Sequence, residues 1–514
     1  MGQKFQFSGG INELNDINIA STEAISGQNF ELGLGNTKLK PRKPFDLVGT
    51  TTNAATINGI LQLTTRAGST TTLIGSGADI YAWDGSTFTY KGVINAASEL
   101  HSFDWPLDES INIVDRNLYT PVSTWDGTTF STLTHGIAGV TNLYAKYGVV
   151  ANGRTVLANI KTDSTANPHM IIFSEFEDTE NFDITSRSGF SGFTTGDEPF
   201  YILTPDLKPV NAMLFFMDLL IISTEDGKLF KLVGDDSTNY RWDDFYVRSS
   251  AIGNNSFVNA GDDVYYMRSG GVIESLKATD TYGDVGTDDV SLRVRDTVKD
   301  ATGMRAVYDQ TNRKIYFFLT SQVIVLFKDL LPTENSPFSI YKTTHDSGFQ
   351  TNAAEYVKSP VTGKYTVLFG DSLGNIYDMN GTGTSGDAGT DDIVMTRGLP
   401  LQEFSYSNML QGRVFYRKIA ECTLKVEFLW GDESNTTEVQ MTLKSPTTGA
   451  VNNNYFGGIY YGEPSPDQQY FGEGVITART PVSKGFSAIG KGSSVSVTLS
   501  ITTSENYEID YIEV

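Results

Sequence analysis

The sequence predicts an all-β protein, and three observations support that prediction. Short alternating or β-branched runs recur between turns rich in Gly, Asp and Asn, which is typical of strands joined by hairpins. The 514 residues include 50 Gly, 30 Phe and 25 Tyr, while long runs of helical period are almost absent. Nearly the same hairpin also occurs twice, as IYAWDGSTF (Ile80–Phe88) and STWDGTTF (Ser123–Phe130), with 42 residues between Trp83 and Trp125.

The chain is acidic, with 61 Asp and Glu against 38 Lys and Arg and a formal net charge of −23. Such a surface repels a phosphate backbone over a Debye length of about 8–10 Å. The charge therefore argues against a reader of nucleic acid, which would show a basic stripe. It is compatible with a conduit through which nucleic acid slides without sticking, and solubility alone explains it more simply.

Cysteine and histidine usage excludes several kinds of site. Cys422 is the single cysteine, so neither an intramolecular disulfide nor a cysteine-based zinc site can form. The four histidines (His101, His135, His169 and His345) show no metal-ligand spacing. The start of the sequence lacks the basic and apolar regions of a secretory signal. The most apolar stretch, Val210–Ser223, has 14 residues and contains Asp218, which predicts buried strands instead of a membrane span.

Residues 1–44 are poor in strand patterns and are predicted to form an N-terminal arm or extended segment, one that could contribute to a platform. NTKLKPRKP (Asn36–Pro44) places four basic residues and two prolines in an otherwise acidic chain. Proline-flanked basic segments pack poorly in a core of their own. The segment is therefore predicted either to be a solvated linker or to dock on an acidic neighbouring surface.

Residues 45–400 are predicted to form a β-propeller. In the repeated hairpin, Asp-Gly favours a tight turn and the flanking Trp and Phe face each other across it. Looser copies of this hairpin follow along the chain. The whole series, with steps of 42 to 56 residues, is marked by Trp83, Trp125, Ser174, Phe230, Ile273, Val325 and Tyr377. A period of about 40–50 residues with four strands is typical of propeller blades. The pattern predicts about seven blades, with an error of at least one, and the alternative is a series of hairpins in β-sandwiches.

Residues 401–514 show longer strands and are predicted to form a separate, sandwich-like β platform domain. Strict alternation near the end of the sequence predicts one buried and one wet face. A polar segment rich in Gly, Tyr and Asn interrupts the domain at 446–474. A loop of this length is either functional, often at an interface, or disordered.

No catalytic constellation emerges from the sequence. P-loop and helix-opening GxGxxG patterns are missing, and no carboxylate pair stands out among the acidic residues. The acidic loops Tyr282–Asp289 and Gly386–Asp392 do not fit the spacing of a calcium loop. We therefore predict a protein that is not an enzyme and assign no catalytic, cofactor-binding or metal-binding residues.

Four passages, in this order along the chain, resemble the tail hub or nozzle proteins of short-tailed (podovirus-type) bacteriophages. They are RKPFDLVGTT (Arg42–Thr51), the apolar strand pair with its GD close (Gly196–Asp235), the strand-Gly-Gly-strand segment (Gly253–Asp284) and the final strand pair (Gly485–Val514). The first of them is expected to lead into a first blade.

The resemblance implies a homohexameric ring in the virion tail, made in the host cytoplasm. Each subunit would combine a β-propeller with a platform of strands from both chain ends. Such a ring contacts the portal or adaptor ring, carries tail fibres or a plug, and extends the channel through which genomic DNA is ejected without sequence readout. The alternative from another class is a propeller that binds or cleaves host surface glycans, as a receptor-binding tail component.

Overall fold

The fold was analysed in a computed structural model. It describes residues 4–5, 10–11, 13, 23–24, 26–32, 39–43, 45–105, 109–178, 180–183, 197–225, 228–235, 237–247, 251–268, 270–278, 285–299, 301, 304–319, 322–328, 338–342, 353–381, 393–400, 408–418, 422–430, 435–443, 482–490, 494–502 and 507–513. These residues fall into two compact units. One comprises residues 43–331 and 341–388, and the other residues 1–42, 332–340 and 389–514.

Strands of the N-terminal part of the chain are β1 (Lys4–Phe5), β2 (Gly10–Ile11), β3 (Glu23–Ala24), β4 (Ser26–Gln28), β5 (Phe30–Leu32), β6 (Leu39–Pro41) and β7 (Asp46–Thr50). Blade 1 is formed by β8 (Ile57–Thr64), β9 (Thr70–Ser76), β10 (Asp79–Trp83) and β11 (Phe88–Val93). Blade 2 is formed by β12 (Leu100–Trp105), β13 (Ser110–Asp115), β14 (Ser123–Trp125) and β15 (Phe130–Thr132). Blade 3 is formed by β16 (Leu143–Ala151), β17 (Arg154–Thr162), β18 (Thr165–Phe173) and β19 (Phe200–Leu203).

Blade 4 is formed by β20 (Val210–Phe216), β21 (Leu219–Thr224), β22 (Lys228–Val233) and β23 (Arg241–Val247). Blade 5 is formed by β24 (Val258–Asn259), β25 (Val264–Arg268), β26 (Val272–Ala278) and β27 (Val285–Asp289). Blade 6 is formed by β28 (Arg305–Asp309), β29 (Lys314–Phe318), β30 (Gln322–Phe327) and β31 (Phe338–Lys342). Blade 7 contains β32 (Ala354–Lys358), β33 (Tyr365–Gly370) and β34 (Asn375–Asp378). Two 3₁₀ turns (Asn254–Ser256 and Leu292–Val294) and one short helix, α1 (Arg295–Val298), complete the described elements of this region.

These sheets form a seven-bladed β-propeller, which confirms the predicted fold class and blade number. The seven positions that mark the repeat in the sequence all lie in, or directly after, the third strand of successive blades. The apolar stretch at 210–223 forms the first two strands of blade 4, as predicted. None of the described helices is long and apolar enough to cross a membrane.

A strand from before blade 1 completes blade 7. Strand β7 pairs antiparallel with β34, with Thr50 opposite Asn375 and Leu47 opposite Tyr377. The segment that the sequence places at the entry to the first blade is therefore the fourth strand of the last one. Because this pairing joins the first and last parts of the propeller sequence, it covers the strand edge that blade 7 would otherwise present.

The repeated Trp-Asp-Gly hairpin has the predicted local structure. Trp83 lies opposite Phe88, with the two rings parallel and their centroids 5.4 Å apart. One oxygen of Asp84 accepts hydrogen bonds from the backbone N–H groups of residues 86 and 87 at 2.8 and 2.7 Å. Gly85 has a φ of 97°, a conformation that other residues rarely adopt. Asp126 accepts the equivalent pair of bonds in blade 2, at 2.8 and 2.7 Å.

Each tryptophan of the repeat is buried between its own blade and the preceding one. Trp83 is 2% exposed and shares a core cluster with Val357 and Leu368 of blade 7. Trp125 is fully buried and shares a cluster with Leu61 of blade 1. The repeat thus supplies the apolar wedge that holds successive blades together.

Inner strands of neighbouring blades approach closely. A methyl group on Gly148 of β16 would lie 2.1 Å from a ring carbon of Phe103 on β12. Only a residue without a side chain fits there, because atoms at that separation overlap.

The second unit contains two larger sheets. Its C-terminal strands are β35 (Ile393–Pro400), β36 (Asn408–Lys418), β37 (Cys422–Trp430), β38 (Asn435–Leu443), β39 (Val482–Gly490), β40 (Ser494–Thr502) and β41 (Tyr507–Glu513). One sheet has the order β39-β36-β41-β6-β5, with β1 also on β41, and the other has the order β38-β37-β40-β35-β4. Strand β35, which precedes the boundary predicted at 400, belongs to this unit because it pairs with β40 and not with a blade.

Part of the basic segment at 36–44 belongs to this unit. Strand β6 pairs with β5, and Arg42 is 4% exposed, with its Nε donating to the side-chain oxygen of Asn29 at 3.0 Å. These residues are therefore packed within their own chain. The polar segment predicted at 446–474 lies outside the described residues.

Candidate functional site

A polar cavity of about 310 Å³ lies at the centre of the propeller. Six of the seven blades contribute to its wall. The contributing residues that matter below are His101 and Arg116 (blade 2), Val149 (blade 3), Met213 (blade 4), Asn255 (at the start of blade 5), Arg305 and Tyr308 (blade 6), and Glu355 and Tyr356 (blade 7). The sequence assigned no site residues, so the structure adds this constellation.

A buried carboxylate holds the blade 2 side of the cavity in place. Asp115, which is 1% exposed, accepts hydrogen bonds from the hydroxyl of Ser98 at 2.8 Å and from four backbone N–H groups, including that of Glu99 at 3.1 Å. The backbone N–H of Arg116 in turn donates to the carbonyl of Glu99 at 3.0 Å. These bonds tie the start of β12 to the end of β13, so that Glu99 and Arg116 are fixed beside each other.

Charged side chains connect blade 2 with blade 5. Arg116 Nη1 donates to Glu99 Oε1 at 3.1 Å, and their side chains are 8% and 20% exposed. The amide nitrogen of Asn255 donates to the same carboxylate oxygen. Because both donors reach one oxygen, Glu99 links the two blades across the cavity.

The connection continues to blades 6 and 7 through Arg305. Its Nη1 donates to the amide oxygen of Asn255 at 3.1 Å, its Nε donates to the carbonyl of Ala354, and its Nη2 donates to Glu355. All three nitrogens of this guanidinium are therefore paired. The result is a continuous polar network from blade 2 through blades 5 and 6 to blade 7.

The guanidinium of Arg116 is less completely paired. Its Nε is buried and has no hydrogen-bond partner among the described residues. A buried donor of a charged group without a partner costs free energy, which a ligand or an ordered water can recover. Arg116 is thus the residue of the network with donor capacity to spare.

His101, on the wall of the cavity, is kept neutral by its surroundings. Burial, followed by the positive charges of Arg116 and Arg305, lowers the pKa of His101 well below its ordinary value. The imidazole makes no hydrogen bond to a described residue. In its neutral form it offers one donor and one acceptor nitrogen to the cavity.

The charged side chains of the network are paired with one another. Two arginines face two glutamates, so the formal charges of the network balance. The described residues contain no group of three or more His, Cys, Asp or Glu side chains that could hold a metal ion. In addition, the network can act as a staple between blades, since it joins four of them.

The other residues that the sequence analysis singled out do not join the cavity. His135 Nδ1 accepts a hydrogen bond from the backbone N–H of Ile137 at 3.2 Å. His169 lies on β18, Cys422 opens β37, and His345 lies outside the described residues. Of the acidic loops, residues 285–289 form β27 and residues 386–392 lie outside the described residues.

No protein-family model matches the chain, and no curated protein matches its sequence. Among solved structures, the chain is similar to BBS1N, determined in complex with ARL6DN, at 10% identity and a TM-score of 0.41 over 67% of this chain and 98% of that chain. It is also similar to the extracellular domain of the hybrid two-component system BT4673 from B. thetaiotaomicron, at 11% identity and a TM-score of 0.40 over 65% of this chain and 39% of that chain. The computationally designed protein Ika8 has 10% identity and a TM-score of 0.36 over 65% of this chain and 99% of that chain. At such values none of these likenesses carries a functional argument.

Proposed function

We propose that this chain is a structural protein of a short-tailed bacteriophage, one subunit of the ring-shaped nozzle that extends the DNA ejection channel. The proposal rests first on the order of the four resembling passages along the sequence. The observation that carries it furthest is the make-up of the second unit, in which strands from residues 1–42 share sheets with strands from residues 389–514. A propeller joined to strands from both ends of the sequence is the subunit plan that the resemblance implies.

The charge of the chain is consistent with a conduit. With a net charge of −23 it offers few Lys and Arg to neutralise phosphates, and counterion release drives most sequence-independent DNA binding. DNA could therefore pass such a ring without being held. In this proposal the hexamer lies in the virion tail, contacts the portal or adaptor ring and carries fibres or a plug, and it has no enzymatic role.

Imaging of the purified full chain tests this proposal. Light scattering combined with cryo-electron microscopy should yield a six-fold ring with a central bore wide enough for duplex DNA. A monomer or trimer at every concentration, or a ring whose lumen is strongly basic, would contradict it.

The alternative is a receptor-binding tail component that recognises host surface glycans. The polar central cavity is the observation that favours it, because carbohydrate recognition needs many hydrogen-bonding groups in a concave site. Binding of a non-ring form to a glycan array would support this alternative. A ring that binds no glycan would support the nozzle.

A further inference from the structure

The strand pair β7–β34, which closes the propeller, is fastened unequally at its two ends. At one end, Thr50 Oγ1 donates to the side-chain oxygen of Asn375 at 2.9 Å, and the backbone N–H of the following residue donates to the carbonyl of Gly374 at 2.9 Å. At the other end, Asp46 lies directly opposite Asp378. Directly opposite residues on antiparallel strands place their side chains on the same face, with Cβ atoms about 4.5–5.5 Å apart. Two carboxylates therefore face each other at this end of the closing pair.

Both carboxylates are held in place by their surroundings. Asp378 is 6% exposed, and its Oδ1 accepts hydrogen bonds from the hydroxyl of Thr366 at 2.5 Å and from the backbone N–H of Asn380 at 2.8 Å. Asp46 is partly buried, and a methyl group on Gly381 would lie 2.5 Å from its carboxyl carbon. Because the backbone of residue 381 lies against Asp46, its carboxylate has less room to turn away from that of Asp378.

The charges around Asp378 favour its protonated form. Burial, together with the negative charge of Asp46, raises the pKa of Asp378, although its two hydrogen bonds and the positive charge of Lys43 act in the opposite direction. Asp309 of blade 6 is a further carboxylate on this side, since it accepts a hydrogen bond from the side-chain nitrogen of Asn380 at 3.2 Å. Opening of the strand pair removes both the burial and the facing charge. By linkage, uptake of a proton therefore favours the closed pairing.

Strand β7 is lightly packed and can respond to this repulsion. None of its five residues is buried, whereas all five residues of β29 in blade 6 are. Local opening costs least where few apolar contacts are made. Because like charges opposite each other destabilise a strand pair, opening is expected to begin at the Asp46 end.

We propose that β7 and β34 form a proton-sensitive latch, in which repulsion between Asp46 and Asp378 loosens the closing strands at neutral pH and protonation of the pair tightens them. The stability that protonated Asp378 contributes is complete below its ordinary pKa of about 3.8 and is lost as the pH rises through the higher pKa of the folded protein. The latch is thus tightest in acid. It acts within one chain, so it goes beyond a role in a tail nozzle and does not depend on ring assembly.

Hydrogen–deuterium exchange of the full chain, followed by mass spectrometry, tests the latch. Protection of β7 and β34, corrected for the intrinsic pH dependence of amide exchange, should be higher at pH 5.0 than at pH 7.5. Strand β17 of blade 3, in which the first seven of nine residues are buried, is the internal reference and should change less. Equal protection of β7 at the two pH values, or a change in β17 as large as that in β7, would overturn the proposal.

Two variants and a control test the role of the facing carboxylates. Asp46→Asn removes one charge with little change in size, so protection of β7 at pH 7.5 should rise by roughly two- to fivefold, which is what like charges opposite each other cost. The rise should be smaller at pH 5.0, and the same rise at both pH values would refute the latch. Asp378→Asn keeps an oxygen that can accept from Thr366 and should also reduce the pH dependence. Asp218→Asn, in an exposed hairpin of blade 4, removes the same charge and should leave the exchange of β7 as in the wild type.

Discussion

Truncating the tryptophan of the second repeat hairpin should test whether the repeat is a packing wedge. Trp125 is fully buried between blades 1 and 2, and removal of such a side chain typically costs about 3–5 kcal/mol. Loss of the cation–π contact with Lys91, whose Nζ lies 5.4 Å from the ring centroid, adds about 0.5–1 kcal/mol to this cost. Against this, the indole N–H is buried without a partner among the described residues, so its removal returns about 1–3 kcal/mol. The net expectation for Trp125→Ala is a loss of about 3 kcal/mol.

Differential scanning calorimetry of the full chain measures this loss. With about 2.1 cal/mol/K of unfolding entropy per residue, 3 kcal/mol in a unit of this size corresponds to a drop in Tm of roughly 4 °C. Trp125→Phe is the informative second variant, because it keeps most of the packing and deletes the unsatisfied N–H. We expect it to cost no more than about 1 kcal/mol.

An exposed aromatic residue of the same blade provides the control. Tyr119 is 55% exposed, so Tyr119→Ala should stay within about 0.5 kcal/mol of the wild type. A Tm for Trp125→Ala within 1 °C of the wild type would refute the wedge, as would a loss in Trp125→Phe equal to that in the alanine variant.

Three further predictions concern the cavity and ring closure. The pKa of His101 in the folded protein lies below the unfolded value of about 6.5, so the stability that depends on this residue is complete above that pH and falls below it, by up to about 1.4 kcal/mol per pH unit. Calorimetry between pH 7.5 and 5.5 should therefore show a shallower loss of stability in His101→Asn than in the wild type. Asp115→Ala leaves buried backbone N–H groups unpaired and should lower the free energy of unfolding, measured in urea, by about 3 kcal/mol or more. A change near zero would argue against the proposed anchoring role. Deleting residues 1–50 removes β7 from blade 7 and should lower the Tm of the propeller, whereas deleting residues 1–40 keeps that strand. Equal Tm values of the propeller in the two truncations would count against closure by β7.

Local features of the chain could be predicted from the sequence because the residues that make them are neighbours. Asp84 and Gly85 set their turn through backbone groups two and three residues away, and Trp83 meets Phe88 across it. Turn chemistry and strand alternation act at this range, so the all-β class and the blade repeat follow from them. The count of seven blades follows from the spacing of the repeats, because each repeat supplies the third strand of one blade.

The central cavity and the closing strand depend on contacts that no local pattern encodes. Glu99, Asn255, Arg305 and Glu355 carry no shared motif, and they meet only because the ring of blades returns on itself. Strand β7 resembles any strand that leads into a blade, and its partner β34 is chosen by closure of the ring. Sequence by itself thus determined what each blade is made of, because turns and alternation act between near neighbours. Tertiary structure alone decided which distant charges face one another, because their separation is set by the circumference of the propeller.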